Sequence, residues 1–576
     1  MMRTMYNLNV PHSQLFVDEL AERIPYHTMY GKPYCLPALT IYSAAEYAAL
    51  ALACERVHGL YRKTLQFVQQ HLPHSYLTDQ LAIHPVLARI ACLPVNWDGL
   101  TRMDWIIGTD GQLKCIENNT ETPTGIPETA YLEAKLLHYA REFHPASAQM
   151  NDCLQTMFVT AVHYYRQRGL GGKLYMTSYD WHDEDRINTL YMLEQCQLAG
   201  IEAEFVPLEQ LRIVPHEGLY SGDARIELLY RLYPLEYLVE DREQNSGRLV
   251  GLDLLELIEA GKLGLINPVQ HIITQSKGFV ATLWSLYERN DELVDYAGFR
   301  LFTPEECGWI ERYMLPTYFT PEPFIQTGIP YVSKSYFGRE GQGTELVEQP
   351  GMITVSDQKE ATATAQQAAP EHGALEQKAA EQQETEYKAT KRNASQHNAS
   401  EYNTSERNAS EHKTYEHNAS EQNTSRHNAS QYQTSEYTAQ GDEASNALSY
   451  LSNPYSLGAS HSSLLNGDAA AVDWESLSPA ELEQLELAAT AAYYAEQPKI
   501  YQQLQPMEQV CVETADGMYE GYLLTGAFVI GGRFAGLLPR IGSKVTDNLA
   551  YYCAAAVRPD AGTDHDTSKH TDAADT

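Results

Sequence analysis

Residues 102–119 read RMDWIIGTDGQLKCIENN, and this stretch predicts a β-hairpin. Residues 103–107 are apolar apart from Asp104, which is typical of a strand with one buried face. The turn falls at residues 108–111, where an Asp-Gly step supplies the positive φ that tight hairpins require. Residues 113–119 return as the second strand, so two short strands lie side by side.

The polar residues of this hairpin carry the first chemical signal. Residues i and i+2 of a strand point to the same face, so Arg102 and Asp104 share one face, and so do Glu117 and Asn119. If the turn brings the two pairs together, they form a cluster of oxygen ligands beside a guanidinium. Such a cluster suits Mg²⁺ and phosphate oxygens. The alternative is a surface hairpin with ordinary salt bridges.

The chain on both sides of the hairpin alternates between helical and strand-like patterns. Apolar residues recur at helical spacing over residues 40–72, and residues 127–168 also look helical. Four shorter elements and one apolar segment follow: strands at 173–177, 203–206 and 331–334, a helix at 185–199, and the apolar segment at 228–233. This alternation predicts an α/β (α+β) fold.

An abrupt change of composition divides the chain. Residues 346–472 are rich in Ala, Gln, Glu, Asn, Ser and Thr, and Asn-Ala-Ser or Asn-Thr-Ser units recur in a five-residue register. With so few large apolar residues, this segment is predicted to be a disordered insertion. Order is expected to resume with a helix start at 478–482. The predicted folded region comprises residues 1–345 and 495–557, and residues 558–576 form a polar tail.

The charge of the chain restricts its partners. Its 576 residues carry a formal net charge of −35, from 76 acidic and 41 basic side chains. This balance opposes binding to nucleic acid and to anionic membranes. It would favour a cationic substrate such as a polyamine, although solubility alone also explains it.

The chain is predicted to lie in the cytoplasm. Its N-terminus has no apolar signal segment, and no run approaches the roughly 20 apolar residues that span a bilayer. The nine cysteines are dispersed without metal-binding spacing, which is typical of reduced thiols. Acidic neighbours should keep Cys115 protonated, so it is not expected to be a nucleophile.

A lysine beside a glycine-rich loop predicts phosphate binding. Lys334 precedes the sequence GREGQG at residues 338–343, which includes Gly341, Gln342 and Gly343. A lysine supplies charge and such a loop supplies backbone N–H groups to nucleotide phosphates. The sequence is neither a Walker A motif nor a dinucleotide fingerprint, so a plain hairpin turn is the alternative. Lys277, in TQSKG ahead of a predicted helix, carries no signal by itself.

An acidic cluster lies at Asp183, Glu184 and Asp185, at the start of a predicted helix. Carboxylates at this position usually complement the helix dipole. They could instead hold the ammonium groups of a polyamine. Arg540, in GLLPR, has no interpretation on its own.

Taken together and in this order, these motifs resemble the glutathionylspermidine synthase family. The family has an R-x-D strand followed by E-Y-N-A-D-T-P-T, where this chain has RMD at 102–104 and ENNTETPT at 117–124. The supporting matches are Asp183-Glu184-Asp185-Arg186, Tyr230-Arg231, Ser276-Lys277, Lys334 with Gly-Arg-Glu-Gly, and Val545-Thr546-Asp547-Asn548. The resemblance covers about residues 30–345 and 495–557.

The resemblance implies an ATP-grasp fold with a preceding α/β domain, interrupted here by the insertion. Family members use ATP to phosphorylate a carboxylate and then let an amine attack the acyl phosphate. The implied roles are Mg²⁺ binding by Asp104, Glu117 and Asn119, ATP binding by Lys277, Lys334, Gly341, Gln342 and Gly343, catalysis by Arg102 and Arg540, contact with the acid by Thr122 and Thr124, and contact with the amine by Asp183 and Glu184. The implied substrates are a peptide acid and a polyamine or another amine.

The chain also departs from the family pattern. It has Ser335 where the family usually has proline and Ile541 where an acidic residue is usual, and it lacks the Phe-Val-Pro-His run near the end. These departures favour an alternative, a catalytically weak or inactive ATP-binding protein. A third hypothesis is a scaffold that acts through the repeat. The amidase domain of bifunctional members is absent from the sequence, so no hydrolytic activity is expected.

Overall fold

The computed structural model describes residues 4–29, 31–108, 110–243, 246–350 and 493–559. Most of the predicted insertion lies outside the described residues, as do the predicted helix start at 478–482 and nearly all of the C-terminal tail. The described strands are, in chain order, β1 (Thr4–Asn7), β2 (Thr28–Met29), β3 (Lys32–Pro33), β4 (Cys35–Ser43), β5 (Leu100–Ile107), β6 (Leu113–Asn119), β7 (His144–Pro145), β8 (Leu174–Thr177), β9 (Ala203–Phe205), β10 (Leu211–Val214), β11 (Gly218–Ser221), β12 (Ala224–Ile226), β13 (Leu228–Arg231), β14 (Gly264–Ile266), β15 (Thr317–Tyr318), β16 (Tyr331–Ser335), β17 (Thr344–Val347), β18 (Lys499–Gln503), β19 (Gln509–Thr514), β20 (Gly517–Ile530), β21 (Arg533–Gly542) and β22 (Tyr551–Arg558).

Most of the helices lie before residue 330. In chain order they are α1 (His12–Leu15), α2 (Asp18–Arg23), α3 (Ala44–His71), α4 (Pro85–Ala91), α5 (Glu133–Leu136), α6 (Met150–Arg166), α7 (Asp183–Leu198), α8 (Leu235–Leu238), α9 (Val250–Glu259), α10 (His271–Gln275), α11 (Gly278–Glu288), α12 (Leu293–Ala297), α13 (Pro304–Tyr313) and α14 (Glu322–Thr327). Short π-helical turns at Tyr76–Gln80 and Glu128–Leu132 and several 3₁₀ turns complete the set.

A nine-stranded sheet forms the centre of the molecule, in the order β1-β4-β22-β21-β20-β5-β6, with β19 beside β20 and β7 beside β22. Alternate residues of β20 enter opposite cores, as the period of a strand requires. Ala527 and Val529 pack in the apolar cluster that contains the inner face of α3. Phe528 and Ile530 pack in the cluster that contains α6. The two long helices therefore cover opposite faces of the sheet.

Two smaller sheets flank the large one. The parallel sheet β14-β13-β8-β9 is typical of an α/β layer, and α7 packs against β8 and β9. The antiparallel sheet β15-β18-β16-β17 joins chain segments from both sides of the insertion, because β18 pairs with β16. The α/β prediction is confirmed, and the two sheets that contain β5 and β16 frame the site described below.

The predicted hairpin at 102–119 is confirmed as β5 and β6, but two predicted helices have the wrong extent. Residues 40–43 belong to β4. The helix α3 begins at Ala44, and its first turn is stabilised by a capping box between Ser43 and Glu46. The predicted helix at 127–168 is two regions separated by β7, where Pro145 lies on a strand that pairs with β22. Apolar residues recur at helical spacing in both regions, so the sequence pattern did not show that a strand separates them.

The predicted domain boundary at 345 falls inside a strand. β17 runs to Val347, and its partner β16 holds Leu346 in register with Val332. At the other end, β22 extends to Arg558. All nine cysteines are free. Within the described ranges, no helix is both long and apolar enough to cross a membrane.

Candidate functional site

A cleft of about 570 Å³ lies between the nine-stranded sheet and the sheet that contains β16. One wall comes from β5, β6, β20 and β21, and the other comes from β16, β17 and β18. Twelve of the fourteen candidate residues line it: Arg102, Asp104, Glu117, Asn119, Thr122, Thr124, Glu184, Lys277, Lys334, Gly341, Gln342 and Arg540. The two that do not are Asp183 and Gly343.

The register of the hairpin places its four polar residues together. Arg102 is opposite Asn119, and Asp104 is opposite Glu117. Trp105 enters the core while Asp104 faces the cleft, as the alternation of a strand requires. A β-bulge between these two positions leaves Ile116 unpaired and sets Glu117 opposite Asp104. The side-chain amide of Asn119 donates to Asp104 Oδ2 at 3.3 Å.

Asp104 is the centre of a cluster with two arginines. Arg540 Nη2 on β21 lies 3.1 Å from Asp104 Oδ2, and Arg102 Nε lies 3.4 Å from Asp104 Oδ1. Arg102 also donates to the carbonyl of Thr124 at 2.9 Å. The Asp104 side chain is only 6% exposed, so both guanidinium groups act in a poorly solvated region.

Glu117 is paired with Lys277 from the start of α11. Lys277 Nζ lies 2.9 Å from Glu117 Oε1 and also donates to the carbonyl of Gly338 at 2.6 Å. Burial raises the pKa of Glu117, but the ammonium groups of Lys277 and Lys334 outweigh burial and the net pKa is lowered. Glu117 is therefore a carboxylate, which is the form that a metal ligand requires.

Lys334 reaches the cleft from the opposite sheet. Its ammonium group donates to the carbonyl of Ile116 at 3.1 Å and to the side-chain oxygen of Gln502 at 2.9 Å. Burial, together with the nearby ammonium group of Lys277, lowers the pKa of Lys334 to about 8, although the carboxylate of Glu117 opposes the shift. A bound polyphosphate would compensate this poorly solvated charge.

The loop after β16 needs its glycines for geometry. Gly341 has φ +76°, and a Cβ there would lie 2.8 Å from a methyl carbon of Val545. Gly343 has φ +68°, and a Cβ there would overlap the hydroxyl of Ser335. Gly343 thus shapes the loop and does not line the cleft, and its role in ATP binding stays a prediction. Ser335 donates to the carbonyl of Tyr494 at 2.6 Å, which ties the loop to the segment before β18.

Arg339 of this loop is a site residue that the sequence motifs did not single out. It donates to Glu236 at 2.6 Å and to the hydroxyl of Thr122 at 3.1 Å. Behind it, buried Glu121 pairs with Arg231, and the Arg339 guanidinium lies 3.8 Å from Glu121. Arg339 is part of the GREG motif, but its acidic partners lie more than 100 residues away in sequence, so the local sequence did not reveal its role.

Two of the three acidic residues Asp183-Glu184-Asp185 line the acidic end of the cleft, and Asp183 is not one of them. Asp183 is exposed and pairs with Arg186 at 2.8 Å on its own helix. Glu184 and Asp185 line the cleft together with Glu340. Asp183 does not line the cleft, because successive helical residues point in directions about 100° apart, and its contact with an amine stays a prediction. Burial and the neighbouring Asp185 carboxylate raise the pKa of Glu184, so a cationic ligand would relieve this repulsion.

Another part of the cleft is apolar. It is lined by Ile106, Ile116, Leu315, Val332, Leu346 and Leu504. The nearby ammonium groups of Lys277 and Lys334 face the same cavity. An apolar pocket beside two cations suits a flat base joined to a polyphosphate.

The donor set fits Mg²⁺ once phosphate oxygens are present. Over the described residues, no group of three or more His, Cys, Asp or Glu side chains could hold a metal alone. Asp104, Glu117 and Asn119 offer only oxygen donors, and Asp104 Oδ1 is buried without a hydrogen bond. Mg²⁺ commonly takes one or two carboxylates and completes its shell with phosphate and water.

Two of the three departures from the family pattern, Ser335 and Ile541, lie outside the cleft wall. Ile541 packs in an apolar cluster with Val510, Val512 and Leu523, on the face of β21 opposite Arg540. Ser335 is fully buried under the loop. Most of the run that replaces Phe-Val-Pro-His forms β22 in the interior of the large sheet, and Ala550, just before this strand, lines the cleft.

The chain was compared with known families, proteins and structures. The family model described as "Glutathionylspermidine synthase preATP-grasp" matches residues 14–388. A protein of Haemophilus influenzae described as "Putative acid--amine ligase" is 24% identical over 237 residues, which are 41% of this chain and 52% of that protein, so the match spans about half of that relative. A glutathione synthetase-like effector (GSS30) of Globodera pallida, solved in its apo form, is 8% identical with a TM-score of 0.44, over 90% of this chain and 89% of that one.

Proposed function

Because the chain belongs to the glutathionylspermidine synthase preATP-grasp family, we propose that it is an ATP-dependent ligase that joins a carboxylate to an amine. The observation that carries the proposal is the cleft itself. It collects three oxygen donors, two lysines and two arginines from both sides of the insertion into one cavity. Such a set neutralises charge on a transferring phosphoryl group and needs no covalent nucleophile.

ATP would bind with its base in the apolar part of the cleft and its phosphates near Lys277 and Lys334. The loop of Gly341 and Gln342 lines the same cleft, and its backbone would lie beside these phosphates. Mg²⁺, held by Asp104, Glu117 and Asn119, would neutralise phosphate charge when bound. Lys277 and Arg540 pair with the carboxylates of Glu117 and Asp104, which keeps the charges of these acidic groups compensated.

The acid substrate would lie where Arg102 and Arg540 meet, beside Thr122 and Thr124. One carboxylate oxygen attacks the γ-phosphorus of ATP, the bond between that phosphorus and the bridging oxygen breaks, and ADP leaves with the electron pair. The guanidinium groups stabilise the negative charge of the acyl phosphate. This step forms the activated acid within a poorly solvated site.

The amine would enter at the acidic end formed by Glu184, Asp185 and Glu340. Its nitrogen attacks the acyl carbon, the carbon–oxygen bond to phosphate breaks, and an amide and inorganic phosphate result. Three carboxyl groups around one end of the cleft favour an amine that is a cation when it arrives. A polyamine is one amine of this class, and a peptide is one source of the acid.

The same geometry bears on the alternative of a weak or inactive ATP-binding protein. The altered residues Ser335 and Ile541 contribute packing and a loop contact, and neither side chain lines the cleft. The arrangement of Arg102, Asp104, Glu117 and Arg540 therefore supports the active ligase.

The proposal is tested by ADP release from Mg-ATP across a panel of small peptides combined with polyamines and other amines. We expect turnover only when an acid and an amine are both present. Glu117→Ala should abolish it, because the variant loses a metal ligand and leaves Lys277 unpaired. Glu345→Ala is the matched control, because this β17 carboxylate is 68% exposed and pairs with Lys499 outside the cleft.

Two other outcomes would decide against the ligase. ATP binding without turnover on any pair would favour the non-catalytic alternative. Turnover that Glu117→Ala and Glu345→Ala reduce equally would show that the cleft is not the site.

A further inference from the structure

A buried carboxyl group lies behind the acidic end of the cleft and has no role in the chemistry described so far. Glu128, in the π-helical turn Glu128–Leu132, is fully buried. Its Oε2 accepts a hydrogen bond from Tyr26 at 3.1 Å and its Oε1 accepts one from Tyr34 at 3.2 Å. Within the described ranges Glu128 forms no ion pair, which is unusual for a buried carboxylate.

The two tyrosines differ in their access to ligands. Tyr34 lines the cleft, whereas Tyr26 does not and is only 6% exposed. Tyr34 is therefore the single hydrogen-bonded link, among the described residues, between the cleft and Glu128. Between the buried carboxyl group of Glu128 and a ligand in the cleft there is one group that can carry a proton, the hydroxyl of Tyr34.

Tyr34 also senses charges from both ends of the proposed amide-forming step, as the causes of its pKa shift show. Burial raises its pKa well above the usual value, and the carboxylates of Glu128 and Glu184 raise it further. The guanidinium of Arg540 opposes this shift. The hydroxyl is therefore within electrostatic reach of the proposed amine site and of the proposed acyl phosphate site.

We propose that Tyr34 and Glu128 form a relay that accepts the proton of the attacking amine. The inference rests on the proposed ligase function. An alkylammonium has no lone pair and must lose a proton before its nitrogen can attack the acyl carbon. The ammonium N–H bond breaks, its proton passes to Tyr34 Oη, and the Tyr34 proton passes to Glu128 Oε1. The neutral amine keeps the electron pair, Glu128 becomes a neutral acid, and no other reactant is needed.

The environment of Glu128 suits this task. Burial and then the Glu184 carboxylate raise its pKa to about 7, while hydrogen bonds from Tyr26 and Tyr34 oppose the shift. The other titratable groups that face it are the thiol of Cys35 and the hydroxyl of Tyr552, which donates to the Glu128 carbonyl at 2.8 Å. A proton acceptor is most effective when its pKa is near the working pH.

The test separates amine activation from every other step by changing the nucleophile. Hydroxylamine is neutral at pH 7 and traps an acyl phosphate as a hydroxamate without first giving up a proton. In Glu128→Gln we expect hydroxamate formation to remain within about twofold of the unmodified protein. Ligation of an alkylammonium substrate should fall by about 10²-fold or more, the usual contribution of general base catalysis.

The pH profile gives a second readout. Glu128 accepts a proton only as the carboxylate, so kcat for the amine should fall as pH decreases through about 7. This acidic limb should disappear in Glu128→Gln. Tyr34→Phe should lower kcat similarly with little change in the KM for ATP. Tyr26→Phe removes an equivalent hydrogen bond without breaking the relay, so it should move the limb to higher pH and keep the plateau.

Glu133→Gln controls for the loss of a buried carboxyl group. Glu133 is as buried as Glu128, but it bonds to Ser147 away from the cleft. The Glu133→Gln variant should leave both reactions and the pH limb unchanged.

Equal loss of hydroxamate and amide in Glu128→Gln and Tyr34→Phe would overturn the relay in favour of a structural role, as would an unchanged pH limb. No hydroxamate from the unmodified protein with any acid would overturn the ligase proposal itself.

Discussion

Arg540 on β21 lies 3.1 Å from Asp104 on β5, although 436 residues separate them in sequence. This ion pair joins the segment after the insertion to the hairpin before it. In the proposed reaction Arg540 stabilises the acyl phosphate while Asp104 helps to hold Mg²⁺. A buried ion pair thus links the proposed metal site to the proposed position of the reacting carboxylate.

Arg540→Ala should reduce kcat by about 10²–10³-fold, the typical loss on removal of one group that stabilises developing negative charge. ATP affinity should change little, because the lysines and the glycine loop remain. Arg540→Lys should recover part of the rate, since an ammonium restores charge without the planar fork. Steady-state kinetics and equilibrium ATP binding measure the two effects.

Arg533→Ala is the control for this change, because Arg533 lies at the other, exposed end of the same strand. If Arg540→Ala weakened ATP binding and left kcat intact, the proposed role of Arg540 would be wrong.

ATP affinity should depend on pH through Lys334. Its pKa of about 8 means that the ammonium form predominates at pH 7 and is lost as pH rises through about 8. The Kd for ATP should therefore increase between pH 7 and pH 9. Lys334→Arg keeps its charge over this range, so the increase should be much smaller. A Kd that rises equally in both proteins would assign the titration to another group.

Ser335→Pro, which restores the residue usual in the family, should destabilise this chain. Proline removes the N–H that Ser335 donates to the carbonyl of Gly343 at 3.3 Å, and the hydroxyl bond to Tyr494 is lost with it. Two hydrogen bonds correspond to about 2 kcal/mol of unfolding free energy. Ser335→Ala should cost about half as much, and urea denaturation compares the variants. Equal stability of Ser335→Pro and the natural protein would show that the two bonds contribute nothing.

Replacing residues 351–490 by a Gly/Ser linker of about 12 residues should leave turnover unchanged within about twofold. Such a linker spans roughly 20 Å on average. The cleft is built from residues before 351 and after 492, so its walls are retained. Loss of ATP binding in the shortened chain would contradict this expectation. Loss of a cellular role with intact turnover would support the scaffold hypothesis for the repeat.

The local parts of the site were predictable from the sequence, because turn chemistry and strand alternation are short-range signals. The hairpin and the shared face of the polar pair on each strand follow from them, whereas the opposition of Asp104 to Glu117 also depends on the β-bulge next to Trp105. Which carboxylates of Asp183-Glu184-Asp185 face the cleft depends on the exact phase of a helix, which a triplet of acids does not reveal. Arg339 was missed because its partners Glu236 and Thr122 are distant in sequence.

The most direct test of the proposed chemistry follows one oxygen atom. The acid substrate is labelled with ¹⁸O in its carboxylate, and the inorganic phosphate formed with Mg-ATP and the amine is analysed by mass spectrometry. An acyl phosphate intermediate transfers one carboxylate oxygen to phosphate, so one ¹⁸O per phosphate is predicted. Amide formation that releases unlabelled phosphate would contradict activation of the acid by phosphorylation in this cleft.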